Sequence, residues 1–285
     1  MKRTKKSIVV FYHQGCTDGF GAAWAAWKRL GSKAEYIGAY HNDTPDLLLK
    51  GKEVYLVDIC FSAEVLTAIK KTATSITIID HHKSNAPKMR LASASLFDLK
   101  HSGAVLSWMF FHPKQKVPSL LLTVEDIDIW NWKRKYTDEI MEYSTLVPMK
   151  FKEWDQFLVA LEKPASRKKI IEQGKLLVRD RDDRVNKLIH MAAEGKIGGK
   201  RALIVNSPVT IDHTANYIYK NLKYPVAVIW SRREDKIVVS LRSNSKTNVD
   251  VSKIAAKYGG GGHKSSAAFV LPANDFKTIQ SLYKK

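Results

Sequence analysis

At 285 residues the chain is longer than a typical single-core domain, and 45% hydrophobic with 26% charged residues is a globular composition that excludes a disordered or fibrous protein. Lys and Arg outnumber Asp and Glu 47 to 28, a formal net charge of +19, so polyanions such as nucleic acid or polyphosphate are attracted at low salt. Two cysteines, Cys16 and Cys60, cannot build a disulfide framework, the apolar run from Ile8 to Tyr12 is too short for a signal segment, and no stretch approaches a membrane span. The expectation is a cytoplasmic protein of two domains with no membrane part.

In chain order, Ser7–Tyr12 reads as a strand and Gly19–Leu30 as a helix with Phe20, Ala23, Trp24 and Trp27 at helical spacing. A strand is expected at Glu53–Ile59, a helix at Ala63–Lys71 and a strand at Ser75–Ile79. Short apolar runs alternating with amphipathic segments imply a parallel α/β sheet. Each of these strands ends in a polar cluster: His13 to Asp18, Asp58, and Asp80-His81-His82. Ligands of open parallel sheets bind at the carboxyl ends of strands, so the three clusters are expected to meet in one crevice. From about Pro164 the chain is charged and proline-free, with a partial apolar stripe from Ile170 to Ile189, which reads as a connecting helix. Gly195 and Gly198-Gly199 precede a second α/β pattern. Its strands are expected at Arg201–Asn206, Pro225–Trp230, Lys236–Arg242 and Ala267–Leu271, and its helices near Ile211–Leu222 and Val251–Tyr258.

Carboxylates gathered at strand ends repel one another, and a divalent cation removes that cost. Carboxylate with imidazole suits Mn, Mg, Co or Zn, and a pair of such ions can clamp the oxygens of a phosphoryl displacement. Asp58 could instead serve a helix start, although Ser62 is the better cap. Three consecutive metal-competent residues, Asp80 to His82, are a poor structural end to a strand. Asp126 and Asp128 lie in an Asp-rich segment that could be a surface turn, before Trp130 and Trp132, which could stack a base or belong to the core or a domain interface. Four glycines, Gly259 to Gly262, followed by His263 and Lys264, let the backbone approach an anion and aim N–H groups at it. Ser102 and Gly103 open a helical segment, where a phosphate site and a plain N-cap are both open readings.

These motifs resemble the DHH phosphoesterases, a family that includes RecJ exonucleases, nano-RNases, cyclic-dinucleotide phosphodiesterases and family II pyrophosphatases. Asp80-His81-His82 resembles the signature, His13-Gln-Gly-Cys-Thr-Asp18-Gly19 the first motif, Val57-Asp58 the second and Asp126-Ile-Asp128 the fourth. Gly260, Gly261, Gly262 and His263 resemble the Gly-Gly-Gly-His motif of the associated substrate-binding domain, and Arg242 the arginine that accompanies it. The resemblance implies a parallel-sheet DHH domain at 1–164, joined by a helix at 165–199 to a smaller α/β domain at 200–285, with the site in a cleft between the two. It implies two ions, usually Mn, with Asp58 bridging, His13 on one ion and Asp18, His81 and Asp126 on the other. His82 then faces the substrate phosphate and Asp80 orients the histidines. The family often has aspartate where this chain has Cys16, so Cys16 is either a softer ligand or a small buried filler.

The implied activity is metal-dependent hydrolysis of phosphodiester bonds by an activated water. The expected substrate is a short oligonucleotide or small nucleotide, because a RecJ-type nuclease carries further strand-holding domains. A phosphoanhydride hydrolase of the exopolyphosphatase or pyrophosphatase type, and a degenerate nucleotide- or nucleic-acid-binding protein, are the alternatives. Oligomeric state, homodimer included, is left open.

Overall fold

The computed structural model describes residues 5–40, 43–45, 48–129, 131–244, 247–262 and 264–283. The chain forms two compact units, residues 1–178 and 179–285.

In the first unit β1 (Ile8–His13) leads through α1 (Thr17–Leu30) to β2 (Ala34–Ala39). Then follow β3 (Glu53–Val57), α2 (Ala63–Thr72), β4 (Ser75–Asp80) and β5 (Ala94–Phe97). The remaining elements are helical: α3 (Gly103–Phe111), α4 (Ser119–Asp128), α5 (Thr137–Ser144), α6 (Phe151–Glu162) and α7 (Pro164–His190). The five strands form one parallel sheet in the order β2-β1-β3-β4-β5. Such a sheet is covered on both faces, and β1 shows why its strands read as continuous apolar runs. Val9 and Phe11 enter one core with Leu56, Leu66 and Ile78, while Val10 enters another with Ala22, Val57, Ile79 and Leu106. The direction of winding reverses between β1 and β3, so the crevice of the sheet opens where these strands end. Helix α3 is apolar almost all round and correspondingly buried, packed beside α1 through Ala104, Val105 and Trp108.

The second unit contains β6 (Ala193–Ile197), β7 (Lys200–Asn206), α8 (Ile211–Tyr217), β8 (Val226–Arg233), β9 (Lys236–Ser243), α9 (Val251–Ala256), β10 (Gly261–Gly262), β11 (Ser266–Pro272) and α10 (Phe276–Leu282). Its mixed sheet has the order β10-β11-β9-β8-β7-β6, with only β7 and β8 parallel. The parallel first sheet and separate second α/β sheet are those the sequence pattern implies.

Two boundaries differ from the sequence reading. Helix α7 stops at His190, and residues 193–197, expected within the connection, form β6. The cause is the Gly198-Gly199 pair, with φ of +57° and +74°, which closes a two-residue hairpin between β6 and β7 instead of ending a helix. The unit boundary at Val178 and Arg179 falls inside α7, which lends Ile170 to the first core and Leu188 and Ile189 to the second. No helix among the described residues is long and apolar enough to cross a membrane.

Candidate functional site

The carboxyl ends of β1, β3 and β4 carry His13, Asp58 and Asp80, so the sheet brings together groups far apart in sequence. Asp58 is the hub. It follows β3 with φ of +57°, a left-handed conformation costly for a non-glycine residue and commonly retained where a site needs it. One of its oxygens lies 3.5 Å from His13 Nδ1, and the other lies 3.3 Å from His81 Nε2 and 3.9 Å from His82 Nδ1. His81 Nε2 is also 3.7 Å from Asp18 Oδ2 and 3.5 Å from Asp128 Oδ2. Ligating atoms of His13, Cys16 and Asp58 all lie within 4.8 Å of one another, as do those of Asp58, His81 and His82, and those of Asp18, His81 and Asp128.

Local structure holds these groups in place. Asp80, fully buried, accepts the backbone N–H groups of His81 at 2.7 Å and His82 at 2.9 Å, and its Oδ1 lies 2.7 Å from His82 Nδ1. Its other oxygen accepts from Asn85 Nδ2 at 2.7 Å, and Lys88 Nζ donates in turn to Asn85 Oδ1. Asp80 thus orients the histidine pair from behind. Two glycines allow the close approach. A Cβ on Gly19 would fall 2.2 Å from the carbonyl oxygen of His13, and one on Gly103 would fall 2.5 Å from Cβ and Oδ1 of Asp58.

The electrostatics are those of crowded carboxylates. Burial, with the charges of Asp58 and Asp128, pushes the Asp18 carboxyl well above the usual range. Burial and Asp58 push Asp128 up to about 6. Asp58 goes the other way: burial would raise it, but the neighbouring imidazoles of His13, His81 and His82 hold it well below the ordinary value. Burial alone would lower His81, yet Asp58, Asp128 and Asp18 raise it to about 9. His82 is raised by Asp80 and Asp58 against its burial. Burial and the charges of Asp58 and Asp18 drive the Cys16 thiol far up. Asp58 Oδ1 and Asp128 Oδ2 are buried and accept no hydrogen bond. Carboxylate oxygens left in this state, ringed by imidazoles, fit a divalent cation.

Of the expected metal ligands, His13, Cys16, Asp18, Asp58 and His81 converge, but Asp126 does not. Its carboxylate accepts the N–H of Lys133 at 2.9 Å, that of Arg134 at 3.0 Å and the Thr137 hydroxyl at 2.7 Å. Burial would raise its pKa, but these bonds outweigh it and hold the group below the ordinary range. Asp128 lies beside His81 instead, because residues two apart on a helix point to opposite sides, and the α4 face carrying Asp128 is the one toward His81. Ser102 and Gly103 are likewise committed within the protein and not presented to a phosphate. Ser102 is fully buried and caps α3 by accepting from Val105 N, while the N–H groups of Gly103 and Ala104 donate to Asp18 at 2.7 and 3.0 Å. The helix N-terminus does bind an anion, and that anion is Asp18. Glu125, unremarked in the sequence, accepts from Ser102 N at 2.9 Å and lies 3.0 Å from His101 Nδ1, fixing the same loop. Asn85 also carried no sequence signal, since an Asn five residues past Asp80 matches no local rule.

In the second unit Arg242 stands near the end of β9, its Nε donating to Asp212 at 2.8 Å and its Nη1 to the carbonyl of Leu241. β11 runs between β9 and β10, placing Ser266 beside Arg242 on one side and Ala267 beside Gly262 on the other. Gly260 has no space for a side chain, its Cβ position being 2.2 Å from the carbonyl of Ala268, and Gly262 has φ of +141°. Gly261 faces open space. His263 and Trp130 lie outside the described residues.

A family model described as the DHHA1 domain matches residues 205–285. An uncharacterized protein of Acanthamoeba polyphaga mimivirus is 27% identical over 284 residues, covering 91% of this chain and 66% of that protein, so the chain spans just under two thirds of its relative's length. A pGpG-specific phosphodiesterase of Vibrio cholerae has a similar structure, with a TM-score of 0.54 and 13% identity over 96% of each chain. An exopolyphosphatase-related protein of Bacteroides fragilis has a TM-score of 0.55 and 12% identity, over 97% of this chain and 90% of the other. Residues 205–285, within the second unit, therefore match the DHHA1 domain, and the chain shares its fold with these two solved structures.

Proposed function

We propose that the protein is a divalent-metal-dependent hydrolase of phosphodiester or phosphoanhydride bonds that acts on short oligonucleotides or small nucleotides in a reducing cytoplasm. The observation that carries this reading is the cluster at the strand ends, where Asp58 lies between His13 and His81 with a buried, unbonded oxygen. His13, Asp18, Asp58, His81 and Asp128 are the residues that would hold the ions, and manganese is the first choice for a set dominated by oxygen and nitrogen donors. When bound, such ions neutralise phosphoryl oxygens and acidify water at the site.

The chain's own groups supply the rest. Asp80 holds Nδ1 of His82, fixing the ring so that it can donate to a phosphate oxygen. Asp18 takes its orientation from the α3 amides, so its carboxylate is placed before any ligand arrives. Arg242 and the open backbone at Gly261 are the phosphate-holding groups of the second unit. The fold shared with the two solved structures supports the phosphoester and phosphoanhydride classes together.

The test is a screen of purified protein with Mn, Mg, Co and Zn against linear dinucleotides, longer strands, cyclic dinucleotides, a nucleoside bisphosphate and polyphosphate. Turnover of a small nucleotide is expected with Mn, abolished by chelator and in Asp58→Ala and His81→Ala. Absence of turnover in every combination, or near-wild-type rates in Asp58→Ala, overturns the proposal.

A further inference from the structure

Cys16 and Cys60 have opposite surroundings. Cys60 is completely buried in an apolar cluster with Ile59, Phe61 and Leu66, where a thiol serves as a small hydrophobe. Cys16 is only partly buried, and the charged groups that act on it are Asp58, Asp18 and Asp128. It occupies the N-cap position of α1, where an oxygen-bearing side chain is the usual occupant. Its sulfur lies within 4.8 Å of a ring nitrogen of His13 and an oxygen of Asp58. Independently, Asp58, which stands between the two ends of the cluster, is 1% exposed, and its Oδ1, the oxygen toward His81, accepts no hydrogen bond. Packing does not explain a thiol beside an imidazole and an under-satisfied buried carboxylate. Cation ligation explains all three. The opposite end of the cluster has a different donor set, with Asp18, Asp58 and Asp128 supplying oxygens and His81 one nitrogen.

We propose that the two ends of the cluster are chemically unequal cation sites. His13, Cys16 and Asp58 form a sulfur-bearing site for a thiophilic ion such as zinc or cobalt. Asp18, Asp58, His81 and Asp128 form an oxygen-rich site for a harder ion such as manganese or magnesium, with Asp58 common to both. This rests on reading the cluster as a divalent-metal centre. Thiolate and imidazole select zinc and its neighbours, whereas carboxylates suit manganese and magnesium. As the ion binds, the Cys16 thiol proton leaves to solvent and the sulfur becomes the donor.

The experiment uses the full chain, stripped with chelator and reloaded with cobalt(II). Wild type and Cys60→Ala are expected to show both the visible ligand-field bands of bound cobalt and a near-ultraviolet sulfur-to-cobalt charge-transfer band. Cys16→Ser and Cys16→Asp are expected to keep the visible bands and lose the charge-transfer band, with unchanged circular dichroism. In competition between zinc and manganese, Cys16→Asp should lower the preference for zinc by about tenfold or more, the size of effect that disturbing a metal's surroundings commonly has. Visible bands without a charge-transfer band in wild type, or a band that survives in Cys16→Ser, overturn the sulfur site while leaving a metal centre standing. If no cobalt or zinc binds to wild type, the metal-centre reading itself falls.

Discussion

Asp126 and Asp128 are alike in sequence and opposite in environment, and the difference predicts opposite effects of neutralisation. The folded pKa of Asp128, about 6, lies above its ordinary value near 4. Its contribution to the stability of the metal-free protein is therefore full below about pH 4 and lost as the pH rises through about 6. At neutral pH the ionised group costs on the order of 1–3 kcal/mol. Asp128→Asn should raise the thermal midpoint of chelator-treated protein at pH 7 and give no such gain near pH 4, while turnover with metal collapses. Asp126→Asn should lower the midpoint at pH 7, because one carboxylate oxygen becomes an NH2 donor and leaves either Lys133 or the Arg134 and Thr137 pair without its acceptor. Thermal melts of both variants at the two pH values decide the matter, and a destabilised Asp128→Asn at pH 7 would show that the carboxylates are not in conflict.

At the scale of elements, two glycines make a contrast. Gly103 begins α3 hard against Asp58, so a methyl group there must push the helix or the carboxylate aside. Gly103→Ala is expected to cost about 2–4 kcal/mol, read from denaturant unfolding, because overpacking at this contact cannot relax without moving the α3 amides off Asp18. Gly261 stands in open space, so Gly261→Ala should leave stability within about 0.5 kcal/mol of wild type. If its backbone approaches a substrate phosphate, the same substitution raises KM for a small nucleotide while metal affinity stays constant. Unchanged KM in both Gly261→Ala and Arg242→Ala would remove the second unit from substrate holding.

For the whole molecule the relevant quantity is the net charge of +19 on a chain whose candidate site is rich in carboxylates. For the proposed anionic substrate, an excess of positive charge would raise the encounter rate, and salt would screen that attraction over about 8 Å at physiological ionic strength. Accordingly kcat/KM for a nucleotide should fall by about tenfold or more between low and moderate salt, with kcat nearly unchanged. Steady-state kinetics across a salt series check this, and a flat kcat/KM would mean that the excess lysines lie too far from the site to steer. The units also have separate cores, one around Trp24, Trp108 and Trp154 and another around Val228, Leu241 and Phe269. A fragment of residues 179–285 should fold by itself and bind no divalent ion tightly, as calorimetry would show.

The strands at the centre of the first sheet were legible in the sequence because both faces of β1, β3 and β4 are buried, which leaves continuous apolar runs ending abruptly in His13, Asp58 and Asp80. The resemblance of those polar ends to DHH motifs, and of the glycine run to the associated domain, rested on local order that needs no folding to be seen. Strands β2 and β5, at the sheet edges, and β6, a hairpin strand, carried weaker patterns and were not anticipated. Tertiary structure alone decided that Asp128 and not Asp126 faces His81, since that choice depends on the rotation of α4 about its axis. It alone showed that the α3 amides are taken by Asp18, and that the Cys16 thiol sits beside His13 and Asp58 and not in the core. In each case the deciding contact joins residues far apart in the chain, and local spacing carries no information about which of two neighbouring side chains turns toward it.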